Sequence, residues 1–152
     1  MQGALKLSGK VTLITGAGSG IGKTIALLFA KEGASIAASD INLESAGKTT
    51  EEIKQSGGRA IAIKADVSSS DDVDIMVDKT IRDLGGVHIL VNNAGIPGEN
   101  VPIIETSVDH WDKVVSVNLR STYPCSLILL ISSNMFGLSV STLYYFCDKK
   151  LR

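Results

Sequence analysis

The sequence predicts an α/β fold, a doubly wound parallel sheet within a single domain spanning residues 1–152. Three observations predict it. Short β-rich apolar runs alternate with longer amphipathic segments at the spacing of βαβ units. The runs read as buried strands, as expected of a sheet covered on both faces. Glycines and capping residues punctuate the ends of the segments between them.

KVTLITG (10–16) is the first buried strand. GKTIALLFAKEG follows as a helix with Gly33 at its end, where glycine accepts the left-handed conformation that stops a helix. ASIAASD (34–40) is the second strand, LESAGKTTEEIKQSGG the second helix, and RAIAIKAD (59–66) the third strand. SSDDVDIMVDKTIRDLGG opens on capping-type Ser and Asp residues and carries apolar residues at helical spacing. VHILVNNAG (87–95) is the fourth strand. TSVDHWDKVVSVNLRSTY has Thr106 or Ser107 as its N-cap and Asp109 and Asp112 in its first turns, where carboxylates favour a helix start.

Residues 121–147 contain no charged side chain, whereas every predicted helix before them carries several, so residues 121–152 form a divergent, largely uncharged tail. LILLIS (127–132) within it is a candidate fifth strand. The 21 uncharged residues from Leu127 to Cys147 are long enough to span a bilayer, but six Ser, Thr and Asn residues among them make a poor membrane helix.

A chain of 152 residues can bury roughly two-thirds of the surface its unfolded form exposes, enough for a real core. Its net charge of −1 gives no electrostatic reason to expect a nucleic acid or an anionic membrane as partner. Cys125 and Cys147 lack the spacing of a metal or redox motif and read as reduced core thiols, so no metal site is expected. The first residues lack the basic start and long apolar run of a signal peptide, so the expected compartment is the cytoplasm.

TGAGSGIGKT (15–24) lies where the first strand turns into the first helix. Two chemistries place glycines there, both bringing backbone N–H groups and the positive end of a helix up to phosphate oxygens. One is a P-loop, through Ala17, Gly22, Lys23 and Thr24 in a relaxed AxxxxGKT form. The other is a dinucleotide loop of the form TGxxxGxG, through Thr15, Gly16, Gly20 and Gly22. A P-loop site needs an acidic residue after another strand to hold magnesium, and HILV ends in NNAG instead. A dinucleotide site needs a carboxylate at the end of the second strand for the adenosine ribose hydroxyls. Asp40 stands there, 18 residues after Gly22. Its charge would repel a 2′-phosphate, and neither Ile41 nor Asn42 offers a cation to offset that, so NAD is favoured over NADP.

With AD at 65–66, NNAG at 92–95 and VNL at 117–119, the loop resembles the short-chain dehydrogenases/reductases over residues 8 to 123. The nearest flavour is that of 3-oxoacyl-carrier-protein reductases and the related secondary-alcohol and sugar dehydrogenases. The resemblance implies a Rossmann-type fold and a site for a dinucleotide. Gly16, Ser19, Gly20 and Gly22 would form the pyrophosphate loop, with Ile21 on its cofactor side. Asp66, followed by Val67, would bind adenine; Asn92, Ala94 and Gly95 would support the central strand and the ribose side of the pocket. Plainer uses stand beside these: Asp66 could cap the SSSDD turn that follows it, and Asn92 and Asn93 could make ordinary turn hydrogen bonds.

The resemblance also implies a catalytic Asn, Ser, Tyr and Lys. Asn118 would organise a water relay and Ser132 would hydrogen-bond the substrate oxygen. Tyr145 would transfer the proton, and Lys149 would lower the phenol's pKa and hold the nicotinamide ribose. Tyr145 and Lys149 form YxxxK, the spacing that puts both on one face of a helix.

Three features depart from the family pattern. Asn118 and Ser132 are only 14 residues apart, with Pro124 where a helix should continue, at a cost of about 3 kcal/mol in a helix interior. Ser133 competes with Ser132 for the family's ISSxxG position. The sequence stops three residues past Lys149, so the catalytic half is expected to be truncated at the C-terminus. Two functional expectations follow. One is an NAD(H)-dependent oxidoreductase moving a hydride between nicotinamide and an alcohol or ketone; the other is a dinucleotide-binding fragment without turnover. The homo-oligomer typical of the family is in doubt.

Overall fold

A computed structural model describes residues 5–132 and 139–142. Four strands form where the apolar runs predict them: β1 (Val11–Thr15), β2 (Ser35–Asp40), β3 (Ala60–Lys64) and β4 (Ile89–Asn92). The helices are α1 (Gly20–Lys31), α2 (Leu43–Gln55), α3 (Ser70–Leu84), α4 (Val108–Val115) and α5 (Thr122–Ser132). A fifth strand, β5 (Ser139–Thr142), completes a parallel sheet of order β3-β2-β1-β4-β5. The chain steps outward from β1 through β2 to β3, then crosses back to lay β4 on the other side of β1. The order reverses at β1 and β4, the place where open α/β sheets form a crevice at the carboxyl ends of their strands.

Alternation along each strand divides the core between two faces. Ile14, Ile36, Ala38 and Val91 pack with Ala26 of α1 and Ile53 of α2. Leu13, Ala37, Ile63 and Leu90 pack on the other face with Val73, Met76 and Val77 of α3 and Cys125 of α5. Both faces of β1 and β2 are therefore covered, and most of their buried positions are apolar, with Thr12, Thr15 and Ser39 the buried polar residues among them. His88 sets where β4 begins beside β1: its backbone N–H donates to the Val11 carbonyl at 2.8 Å, and its Nδ1 accepts from the Val11 N–H at 3.0 Å.

Caps end the helices as the residue types predict. Ser69 Oγ accepts from the Asp72 N–H at 3.3 Å, and Gly85 closes α3 in the left-handed region at φ 94°. Of the two N-cap candidates for α4, Ser107 takes the role, accepting from the His110 N–H at 3.1 Å.

Two expectations for the tail need correction. LILLIS is not a strand: residues 127–132 belong to α5, and the fifth strand is Ser139–Thr142, in register with Ile89–Asn92. A short apolar run is compatible with either a buried strand or a buried helix. Here the chain stays helical from Val108, and Cys125 buries its side chain against α3. Pro124 does not end the helical path. A π turn over Ser116–Arg120 precedes it, with the Ser121 N–H reaching back to the Ser116 carbonyl at 3.1 Å, so α5 restarts at Thr122 and the proline falls in its first turn. There its missing donor costs little. The uncharged run from Leu127 to Cys147 is not one helix, because it contains β5. Among the described residues no helix is long and apolar enough to cross a membrane.

Candidate functional site

The loop between β1 and α1 is stitched to its surroundings by its own backbone. The Ala17 N–H donates to the Ser39 carbonyl at 2.9 Å, and the Ala17 carbonyl accepts from Thr49 Oγ1 of α2 at 2.9 Å. The Gly18 N–H donates to Asp40 Oδ2 at 2.9 Å. Across the switch point, Thr15 Oγ1 accepts from the N–H groups of Asn93 and Ala94, both at 3.0 Å, while Asn93 Nδ2 donates to the Thr15 and Gly16 carbonyls at 2.9 and 3.2 Å. The loop's shape is thereby fixed by bonds within the protein.

Glycine is required at three of its positions for lack of space. Gly16 sits at φ 66°, and a β-carbon there would lie 2.9 Å from the Ala94 Cα. At Gly22 a β-carbon would fall on the Gly16 carbonyl oxygen, so α1 could not approach the loop. At Gly18 it would lie 2.8 Å from Asp40 Oδ2 and 2.7 Å from the Ser45 Cβ. Gly20, at φ 53°, faces open space.

Ser19 is the N-cap of α1 but gives no side-chain cap, and the first turn carries no acidic residue. The first backbone donor that returns to the loop is the Lys23 N–H, to the Ser19 carbonyl at 3.1 Å. The N–H groups at the start of α1 therefore lie at the positive end of the helix dipole with no carboxylate of their own, the arrangement that suits phosphate oxygens. Ile21 lies beside them, partly exposed. The predicted loop residues Gly16, Ser19, Gly20, Ile21 and Gly22 are thus together, and their geometry fits a diphosphate.

Lys23 does not serve that loop as a P-loop lysine would. Its Nζ pairs with Glu52 of α2 at 2.7 Å, and Thr24 Oγ1 donates back to the Gly20 carbonyl at 3.0 Å. Of the four residues of the P-loop alternative, Lys23 is engaged by α2 and Thr24 by the backbone of α1, and that reading is corrected here.

Asp40 ends β2, half-buried beside the loop. Its Oδ2 accepts from Gly18 and its Oδ1 from the Asn42 N–H, both at 2.9 Å. Each oxygen retains acceptor capacity, since a carboxylate offers about four lone-pair sites and two are used. Asp66 follows β3 and makes the turn contact that its sequence context allows: Oδ1 accepts from Ser68 N–H at 2.9 Å and Ser68 Oγ at 2.6 Å. Val67 beside it is buried.

Asn92 ends β4, buried, with its Nδ2 3.5 Å from Ser126 Oγ on α5. Ala94 leads into the loop that carries Gly95, whose β-carbon position lies 3.3 Å from Asn118 Oδ1. Asn118 stands in the π turn and clamps that loop from both sides, Oδ1 accepting from the Ile96 N–H at 2.8 Å and Nδ2 donating to the Ile96 carbonyl at 2.9 Å. Asn118 therefore joins the helical path to the end of β4.

Ser132 is the last residue of α5 instead of the end of a strand, and Tyr145 and Lys149 lie outside the described residues. Among the described residues no group of His, Cys, Asp and Glu could hold a metal ion. A groove of about 740 Å³ lined by Leu27, Ala30, Ile53 and Arg59 opens at the amino end of β2, away from this site. The single described cysteine, Cys125, is buried, and burial pushes its thiol up to about 11.

Four residues have roles in the site that the motifs do not assign: Thr15 as a hub, Asn93, Thr49 and Gly18. Thr15, Gly18 and Asn93 lie within TGxxxGxG and NNAG without these roles being marked, and Thr49 leaves no sequence signal.

Comparison with known proteins gives a consistent picture. The model of a family described as short chain dehydrogenase matches residues 10–135. A cyclohexanol dehydrogenase from an Acinetobacter strain is 46% identical over 118 residues, covering 78% of this chain and 47% of that protein. A 3beta-hydroxysteroid dehydrogenase from Eggerthella lenta is 42% identical over 115 residues, covering 76% and 44%. A solved 7 alpha-hydroxysteroid dehydrogenase complexed with NADH and 7-oxo glycochenodeoxycholic acid superposes with a TM-score of 0.78 at 40% identity, covering 83% of this chain and 49% of that one. The chain spans about half the length of the relatives it matches.

Proposed function

The chain belongs to the short-chain dehydrogenase family, and from that premise we propose that it binds NAD(H) at the carboxyl ends of β1, β2 and β4 as the cofactor half of an oxidoreductase. One observation carries the reading: a glycine loop held in place by its own hydrogen bonds presents the uncapped start of α1 next to the carboxylate of Asp40. The N–H groups of Gly20, Ile21 and Gly22 would hold the diphosphate, favoured by the helix dipole. Asp40 would accept from the adenosine ribose hydroxyls and repel a 2′-phosphate, favouring NAD over NADP. The free side of Asp66 and the Val67 backbone would face adenine, and Asn92, Ala94 and Gly95 would border the ribose on the nicotinamide side. When bound, the nicotinamide supplies or accepts the hydride. The substrate class is a secondary alcohol or its ketone, and the similarity to cyclohexanol and hydroxysteroid dehydrogenases favours a cyclic one.

The residues assigned to proton movement are Tyr145, with Lys149 as the neighbouring cation and Ser132 on the substrate oxygen. Asn118 supports them by fixing the loop at Ile96. A second reading, cofactor binding without turnover, is favoured by the position of Ser132 at the end of a helix.

Titration of the chain with NADH, followed by the shift and enhancement of its fluorescence with NADPH in parallel, tests the binding site. Saturable binding with NADH preferred is expected; a folded chain that binds neither refutes the proposal. Turnover of cyclohexanol with NAD that disappears in Tyr145→Phe, with NADH binding intact, then separates the two readings. Absence of turnover in the parent chain selects the binding-only reading.

A further inference from the structure

We propose that Gly18 is a specificity-determining residue of the cofactor site, because its N–H and its missing side chain together set the position of the Asp40 carboxylate. This inference rests on the dinucleotide reading above.

Besides the ligand-facing role proposed above, Asp40 makes contacts inward to the protein. Its Oδ2 is fixed by the Gly18 N–H and its Oδ1 by the Asn42 N–H, both at 2.9 Å, so neither side-chain torsion is free. The space beside Oδ2 exists only because residue 18 has no β-carbon: one placed there would stand 2.8 Å from Oδ2, 3.0 Å from the Asp40 Cγ and 2.7 Å from the Ser45 Cβ. Separations under 3 Å require something to move. The Ser45 Cβ is a side-chain atom bonded directly to its Cα in α2, so it moves only with that helix, and the loop is tied to β2 by the Ala17 N–H to Ser39 carbonyl bond and to α2 by Thr49. The carboxylate is the group that can swing. Any side chain at position 18 would therefore push the Asp40 charge out of the position held by the two N–H groups.

The consequence is a link between two parts of the site that are separate in sequence. The residue that selects the ribose is hydrogen-bonded to the loop that receives the diphosphate, so a change at one is read at the other. Preference for NADH over NADPH depends on Asp40 being held, as well as on its being acidic. A displaced carboxylate would accept less well from the ribose hydroxyls and oppose a 2′-phosphate from further away.

The test is a double-mutant cycle on the full chain with Gly18→Ala and Asp40→Ala, reading NADH and NADPH dissociation constants and the thermal midpoint of the ligand-free protein. Gly18→Ala in the parent background should weaken NADH binding at least tenfold and reduce the NADH over NADPH preference at least fivefold. In the Asp40→Ala background, where the carboxylate is gone, the same change should cost less than threefold. Asp40→Glu, which keeps the charge and moves it by one methylene, provides a variant free of the added β-carbon and should lower the preference at least fivefold. Equal effects of Gly18→Ala in the two backgrounds, or an unchanged preference in Asp40→Glu, overturn the inference while leaving the binding proposal standing. A parent chain that binds neither nucleotide overturns both.

Discussion

Replacing Thr15 by valine removes one oxygen from the centre of the site and nothing else of comparable size. Thr15 is 2% exposed, and its Oγ1 accepts from the N–H groups of Asn93 and Ala94 at 3.0 Å each while lying 3.4 Å from the Val91 carbonyl. Valine fills the same volume but leaves two backbone donors without their acceptor. A buried unsatisfied donor costs about 1–3 kcal/mol. Asn93 and Ala94 are only half-buried, so water recovers part of the loss, and the expected destabilisation is about 2–3 kcal/mol. With a urea dependence of about 1–3 kcal/mol per molar, the unfolding midpoint should fall by about 0.7–3 M at an unchanged slope. Thr15→Ser keeps the oxygen and loses one buried methyl, a cost of about 1 kcal/mol. Valine should therefore be the more damaging of two changes of which it is the more conservative in shape. Midpoints for Thr15→Val within 0.2 M of the parent, or a serine variant as unstable as the valine one, would refute the hub role.

Two further outcomes follow from local geometry. The Cys125 thiol, raised by burial from an ordinary value near 9 to about 11, holds its proton longer in the folded chain than in the unfolded one. Its contribution is complete below about pH 9 and is lost as pH rises toward 11, by roughly 3 kcal/mol at most. The decline in stability over that window should be shallower in Cys125→Ala, compared by urea unfolding; parallel curves would contradict the assignment. Gly22→Ala and Gly47→Ala should have opposite effects on the thermal midpoint. The first drives a β-carbon into the Gly16 carbonyl, whereas the second fills open space inside α2 and should gain up to about 1 kcal/mol from helix propensity. Two changes of the same sign would count against the packing described at the loop.

The sequence by itself made legible the four strands up to Asn92, the helices between them, the glycine stops at Gly33 and Gly85 and the capping residue types before α3 and α4, and it left Thr106 and Ser107 both open as the α4 cap. These depend on neighbours a few residues apart, and apolar period and capping chemistry act over that range. It also placed Gly16, Gly20, Gly22 and Asp40 at one end of the sheet, because the order of motifs along a βαβ chain fixes which strand ends they occupy. Tertiary structure decided the rest. LILLIS suits a strand or a helix equally, and it lies in α5, the helix that buries Cys125 against α3; Ser139–Thr142, with little apolar signal, is a strand paired with β4. The sequence already favours the dinucleotide pocket over the P-loop through Asp40 and the NNAG that follows HILV, and the turn of Lys23 toward Glu52 agrees with that choice. The contacts that hold the site join Gly18 to Asp40, Ile96 to Asn118 and Thr15 to Asn93, residues 22, 22 and 78 positions apart. Hydrogen bonds over such separations depend on where the sheet brings strand ends together, which no local spacing encodes.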